Sequence, residues 1–107
     1  MSDMVQFLLT RIRQTGLPEP VTEYAFAPGR KFRFDICWPS LRVAAEVDGG
    51  TWTGGRHVSG AGYERDCIKL NMAAELGWTV YRYTSGLVLS DEAIMQLERV
   101  LIREATT

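Results

Sequence analysis

The chain has 107 residues, 46% hydrophobic and 23% charged, which is enough apolar content for one compact domain over residues 1–107. Its 12 Lys and Arg against 13 Asp and Glu give a formal charge of −1, which excludes a uniformly basic nucleic-acid wrapper but not a locally basic surface. No apolar run approaches the ~20 residues of a membrane helix, no signal peptide is visible, and two cysteines cannot form a disulfide scaffold. These features predict a cytoplasmic protein without a membrane partner.

The first half of the chain predicts one helix followed by three strands. Apolar residues recur at helical spacing over 3–15, and Gly16 and Pro18 end this pattern. Short alternating segments predict three strands: Val21–Phe26, Lys31–Trp38 and Leu41–Asp48. Because only Pro39–Ser40 separate the last two strands, we expect an antiparallel hairpin.

The second half begins with a glycine-rich segment, 49–62, which holds six of the ten glycines and predicts a long loop. It is followed by a predicted helix, strand and helix: Tyr63–Leu76, Trp78–Tyr83 and Asp91–Glu104. Gly77 is expected to end the first of these helices, and Ser90 to cap the second. The whole order predicts an α/β fold with a small mixed sheet of about four strands flanked by helices.

The hairpin gives the strongest indication of a functional site. Pairing of Trp38 with Val43 sets a register in which Asp35 lies opposite Glu46. The predicted core face is Phe32, Phe34, Ile36, Val43, Ala45 and Val47. The predicted polar face is Arg33, Asp35, Cys37, Ala44, Glu46 and Asp48. Like charges opposite each other destabilise a sheet, so these carboxylates predict a bound Mg²⁺ or Mn²⁺.

Two other interpretations of the hairpin remain open. A slip of one residue in the register would turn Asp35 into the core. Alternatively, the polar face carries ordinary charges exposed to solvent.

Residues outside the hairpin add further candidates. On the helix after the glycine-rich segment, Asp66 and Lys69 share a face, either as a surface ion pair or, if the helix packs on the polar face, as part of the site. In the loop, His57 is a candidate acid, base, or phosphate or metal ligand, or alternatively a surface residue. Trp52 either stacks on a base or anchors the loop as a hydrophobic residue. Four cations are candidates for backbone phosphates, or alternatively for a solvated edge: Arg30, Lys31, Arg33 and Arg56.

The order of these residues resembles the PD-(D/E)XK nuclease superfamily, with Asp35 followed eleven residues later by Glu46-Val47-Asp48. More narrowly, it resembles the branch of very-short-patch repair endonucleases and small phage and bacterial endonuclease-like proteins. The narrower resemblance rests on this series: Phe34-Asp35, Glu46-Val47-Asp48-Gly49, His57, Asp66 and Gly77-Trp78-Thr79-Val80.

The resemblance implies a restriction-endonuclease-like core and a Mg²⁺-dependent endonuclease that acts on DNA in a bacterial or phage-infected cell. It implies three metal ligands: Asp35, Glu46 and Asp48. It implies further catalytic residues: His57, Asp66 and Lys69. The lysine that normally follows the second acidic residue by two positions is replaced by Asp48, and Lys69 is the candidate to substitute for it. The acidic residue associated with the first helix of the family has its nearest counterpart at Glu23.

Two other functions fit the same sequence. The missing motif lysine favours a non-catalytic nucleic-acid-binding module on a nuclease fold. A protein-interaction adaptor would instead use Trp38, Trp52 and the terminal helix. As an enzyme, so short a chain is expected to act as a homodimer or with a recruiting protein partner.

Overall fold

A computed structural model describes residues 2–48 and 60–106. These residues form four strands: β1 (Val21–Ala25), β2 (Arg33–Trp38), β3 (Val43–Val47) and β4 (Thr79–Tyr83). They make one sheet in the order β1-β2-β3-β4, in which β2 is antiparallel to β1 and β3, and β4 is parallel to β3. The predicted α/β fold with a small mixed sheet is confirmed.

The described residues also form four helices: α1 (Asp3–Gln14), α2 (Gly60–Glu75), α3 (Ser85–Leu89) and α4 (Glu92–Thr106). On one face of the sheet, Leu8 of α1 and Leu97 of α4 pack with Ile36 in a buried cluster. On the other face, Ala73 of α2 packs with Phe34 in a second cluster. Burial of each such large apolar side chain stabilises the fold by about 1.5–3 kcal/mol. In this part of the chain, no helix combines the length and apolar composition of a membrane span.

The helix ends confirm some of the predicted signals and correct others. Ser2 caps α1, because its side chain accepts a hydrogen bond from the Val5 N–H at 3.2 Å. Gly77 lies just beyond α2 with a φ of 86°, the left-handed conformation that ends helices. α3 was not predicted, because five residues are too few for a periodic apolar pattern. Ser90 ends α3, and its side chain also accepts a hydrogen bond from the Glu92 N–H at the start of α4, at 3.4 Å.

The register of the β2–β3 hairpin is the predicted one. Trp38 pairs with Val43, Cys37 with Ala44, and Ile36 with Ala45. The alternative register, slipped by one residue, is therefore excluded.

The side-chain alternation along β2 breaks at Asp35. Phe34 packs with Cys37 on the α2 face, whereas Ile36 packs on the opposite face. Phe32 and Phe34 were predicted to share one face of the sheet with Ile36, and this prediction is wrong. Phe34 is buried on the α2 face instead, and Phe32 packs against the same cluster. The reason lies in β1, where Glu23 adopts a φ of 51° and the β1–β2 ladder skips the Glu23–Asp35 pair.

Candidate functional site

Three strands bring polar side chains to one end of the sheet. β3 and β4 are parallel and both end there, and β2, being antiparallel, begins there. Asp35 lies near the start of β2, Glu46 near the end of β3, and Arg82 pairs with Glu46 from β4. α2 follows β3 and adds Lys69 from the face of the sheet that it covers.

Asp35 and Glu46 are held side by side by the backbone. The Asp35 N–H donates to Glu46 Oε2 at 2.8 Å, and the Val47 N–H donates to Asp35 Oδ2 at 2.9 Å. Each carboxylate thus accepts a hydrogen bond from the neighbouring strand, which fixes its position and offsets part of the repulsion between the two charges.

Lys69 points at this carboxylate pair. Its Nζ donates to Glu46 Oε1, and only 18% of the Lys69 side chain and 13% of the Glu46 side chain are exposed. Lys69 Nζ also lies 5.8 Å from the centre of the Phe34 ring. Burial raises the pKa of Glu46, while the bonds from Lys69 and the Asp35 N–H oppose this shift. Lys69 is therefore placed to compensate a largely buried carboxylate.

A second charged group surrounds Arg82. Its Nη2 donates to Asp48 Oδ1 at 2.7 Å and lies 3.9 Å from Asp66 Oδ2. The hydrogen bond to Asp48 is the main reason that the pKa of Arg82 is raised. Sequence reasoning missed Arg82, because its position beside Glu46 depends on the parallel register of β3 and β4. Strand alternation alone does not reveal that register.

The donor set can be tested against the chemistry of Mg²⁺. Among the described residues, no three His, Cys, Asp or Glu side chains converge as metal ligands, so Asp48 does not complete a three-carboxylate site with Asp35 and Glu46. Mg²⁺ commonly takes one or two protein carboxylates and retains several waters. In this part of the chain, Asp35 Oδ1 has no hydrogen-bond donor and Glu46 Oε1 faces only Lys69. Asp35 and Glu46 therefore fit a hydrated Mg²⁺.

The charge balance supports the same fit. Lys69 lies beside the carboxylate pair of Asp35 and Glu46. Arg82 lies beside a second pair of carboxylates, those of Asp48 and Asp66. When all six groups are ionised, four negative and two positive charges leave a net charge of −2 at this end of the sheet. A single divalent cation matches that excess.

The remaining candidates occupy two regions. Arg30 and Lys31 are exposed in the β1–β2 connection, and Arg33 is exposed at the start of β2, at the same end of the sheet as the carboxylates. Glu23 is exposed on β1. Three candidates lie outside the described residues: Trp52, Arg56 and His57.

Comparisons by sequence give relatives without a described function. No family model matches the chain. Two uncharacterized proteins of Mycobacterium tuberculosis, MT2308 of strain CDC 1551 / Oshkosh and Rv2248 of strain H37Rv, are each 36% identical to it over 67 residues. The match covers 61% of this chain but 23% of each relative, so the chain spans about a quarter of their length.

Comparison by structure gives a neighbour across the whole fold. The catalytic domain of the homing endonuclease I-Bth0305I superposes with a TM-score of 0.71 at 12% sequence identity. The alignment covers 97% of this chain and 98% of that domain. The chain therefore has the fold of an endonuclease catalytic domain.

Proposed function

We propose that this chain is a metal-dependent endonuclease that hydrolyses phosphodiester bonds in DNA, with its centre at Asp35, Glu46 and Lys69. The observation that supports it most is that two backbone-held carboxylates and a largely buried lysine meet at the end of the sheet. The fold shared with a homing-endonuclease catalytic domain supports this assignment. On the order of its acidic residues, we also place the chain in the PD-(D/E)XK superfamily, near the very-short-patch repair branch.

In this mechanism Asp35 and Glu46 would hold Mg²⁺, for which Mn²⁺ would substitute. When bound, the ion supplies positive charge beside the scissile phosphate and acidifies water. Lys69 has three N–H donors, so it can keep its bond to Glu46 while donating to the phosphoryl oxygens, where negative charge develops. Asp48, held by Arg82, orients the attacking water.

Two further residues, His57 and Asp66, are included in the site because the resemblance implies that they are catalytic. His57 protonates the leaving oxygen or binds a flanking phosphate. Asp66 fixes Arg82 from α2. For cutting both strands, we propose a homodimer that presents two such centres, or a partner protein that recruits the domain.

A non-catalytic nucleic-acid-binding module is the second candidate. Two observations favour it: both Glu46 oxygens already accept hydrogen bonds within the chain, and Asp48 occupies the position of the motif lysine. Such a module would bind DNA without taking up a metal ion.

Substitution of either carboxylate tests the proposal. We expect Asp35→Ala and Glu46→Ala to lose metal-dependent cleavage, because each removes a metal ligand, while the fold persists. The assay is cleavage of single strands, duplexes, flaps and four-way junctions in Mg²⁺, Mn²⁺ or EDTA. Glu75→Ala, an exposed carboxylate at the end of α2, is the matched control and should cleave as the native protein does.

Each outcome separates the candidates. Cleavage that is lost in both variants and kept in the control supports the enzyme. Native cleavage rates in either variant would remove the carboxylate pair from the mechanism. Binding of DNA without cleavage or Mn²⁺ uptake by the native protein would favour the non-catalytic module.

A further inference from the structure

We propose that a cleft lined by Arg30, Lys31, Phe32 and Arg65 is a phosphate subsite, which binds a backbone phosphate beside the one that is cleaved. The inference rests on the proposed function for the identity of its ligand, a nucleic-acid strand. It gives a role to Arg65, which the proposed mechanism does not use. It also places Arg30 and Lys31 in one defined binding site instead of on a general basic surface.

The cleft has the shape and charge of an anion site. It encloses about 370 Å³ and is lined by Gly29, Arg30, Lys31, Phe32 and Arg65. Three of these five residues are cations and none is a carboxylate. The cleft therefore concentrates positive charge in a chain whose formal charge is −1.

Within the described residues, no carboxylate neutralises the three cations. Among residues 2–48 and 60–106, neither Arg30, Lys31 nor Arg65 forms an ion pair, whereas Lys69 and Arg82 each contact a carboxylate. Unpaired cations that converge on one cleft repel each other, and an anion between them relieves that repulsion. The nearby pairs show that carboxylates at this end of the sheet do engage cations, yet none of the described carboxylates engages the cations of the cleft.

Arg30 is fixed by a column of aromatic rings. Its guanidinium carbon lies 4.8 Å from the centre of the Phe32 ring. Phe32 stacks on Phe26 with centroids 6.5 Å apart, and Phe26 stacks on the buried Phe34 with centroids 3.9 Å apart. A guanidinium that contacts an aromatic ring loses less freedom when it binds an anion, which favours contact with a phosphate.

The same column and the same helix connect the cleft to the carboxylate site. Lys69 lies over Phe34, deep in the column, while Arg30 lies over Phe32 at its outer end. Arg65 and Lys69 are four residues apart on α2 and therefore share a face, ~6 Å apart along the axis. A strand with one phosphate at Lys69 thus passes another within reach of Arg65.

The test is the salt dependence of DNA binding by Arg65→Gln and Arg30→Gln in EDTA, where cleavage cannot interfere. Loss of one phosphate contact should lower the slope of log K against log salt by about 0.9 on a duplex, or about 0.7 on a single strand. It should weaken affinity by about fivefold to tenfold at ~0.1 M salt. Arg99→Gln, the same change at an exposed position of α4, is the matched control and should keep the native slope.

The outcomes separate this inference from the proposed function. A reduced slope for Arg65→Gln with a native slope for Arg99→Gln supports the subsite, even if no substrate is ever cleaved. A native slope for Arg65→Gln would overturn the subsite, even if metal-dependent cleavage is normal. Absence of any DNA binding by the native protein at low salt would overturn it as well.

Discussion

Lys69 is the cationic partner of the carboxylate pair formed by Asp35 and Glu46. The sequence left open whether α2 turns Lys69 toward the carboxylates or toward solvent. The structure joins Lys69 to Glu46, while Asp48, at the position of the motif lysine, contacts Arg82. Sequence spacing could nominate Lys69 but not orient it, because the packing of α2 depends on contacts such as that of Ala73 with the sheet.

Glu46 should make stability depend on pH in a defined direction. Burial raises its pKa above the ordinary value of 4.5, so the fold favours the protonated form more than the unfolded chain does. This contribution is fully present below the unfolded pKa, and it is lost as the pH rises through the higher folded pKa. Ionised Glu46 therefore costs stability even with Lys69 beside it, because the effect of burial exceeds that of the bond from Lys69.

We expect Glu46→Gln to become progressively more stable relative to the native protein as the pH rises from about 4.5 toward neutrality in EDTA. The measurement is the free energy of unfolding by urea between about pH 4 and pH 8, with Glu75→Gln as a control whose difference from the native protein stays constant. Saturating Mg²⁺ should reverse the trend by stabilising only the native protein. A difference that is independent of pH, or that falls as pH rises, would contradict this account of Glu46.

At the scale of elements, the break in side-chain alternation at Asp35 shapes the site. Where the β1–β2 ladder skips Asp35, its N–H donates to the Glu46 side chain and its carboxylate accepts from the Val47 N–H. The register followed only if Trp38 pairs with Val43, as it does, but the antiparallel hairpin itself was predictable from the short Pro39–Ser40 connection. The break in alternation was not, because nothing in the sequence marks Glu23 as a residue with positive φ.

The backbone conformation of Glu23 predicts a specific response to substitution of this residue. Its φ of 51° lies in the left-handed region, which glycine adopts freely and β-branched residues strongly resist. We expect Glu23→Val to be less stable than Glu23→Gly by about 1–2 kcal/mol. Urea denaturation of the two variants measures this difference. Equal stability would mean that the left-handed conformation is not required there.

Across the whole molecule, the distribution of charge matters more than its sum. A formal charge of −1 gives no sign of a basic surface. The fold nevertheless gathers unpaired cations in the Arg30–Arg65 cleft and acidic groups at the end of the sheet. The basic cluster before β2 was visible in the sequence, but the addition of Arg65 from α2 required the packed structure.

The fold class was predictable because its signals are local. Apolar periodicity, glycines and a short hairpin connection define most of the helices and strands. Arg82 could not be found in this way, because its partners Asp48 and Asp66 come from other elements. The spacing placed Arg65 on the same helix face as Lys69 but did not place it in a cleft with Arg30. The catalytic domain of the homing endonuclease I-Bth0305I has the same fold as this chain at 12% sequence identity. The same fold is therefore formed by two sequences that differ at most positions.

The most direct test of the account is single-turnover cleavage by Lys69→Gln in saturating Mg²⁺, on the substrate that the native protein cuts best. Loss of one donor to the developing phosphoryl charge should slow the reaction by about 10²–10³-fold. Arg99→Gln should cleave at the native rate, and circular dichroism should show that both variants are folded. Cleavage by a folded Lys69→Gln protein within about threefold of the native rate would contradict a centre formed by Asp35, Glu46 and Lys69.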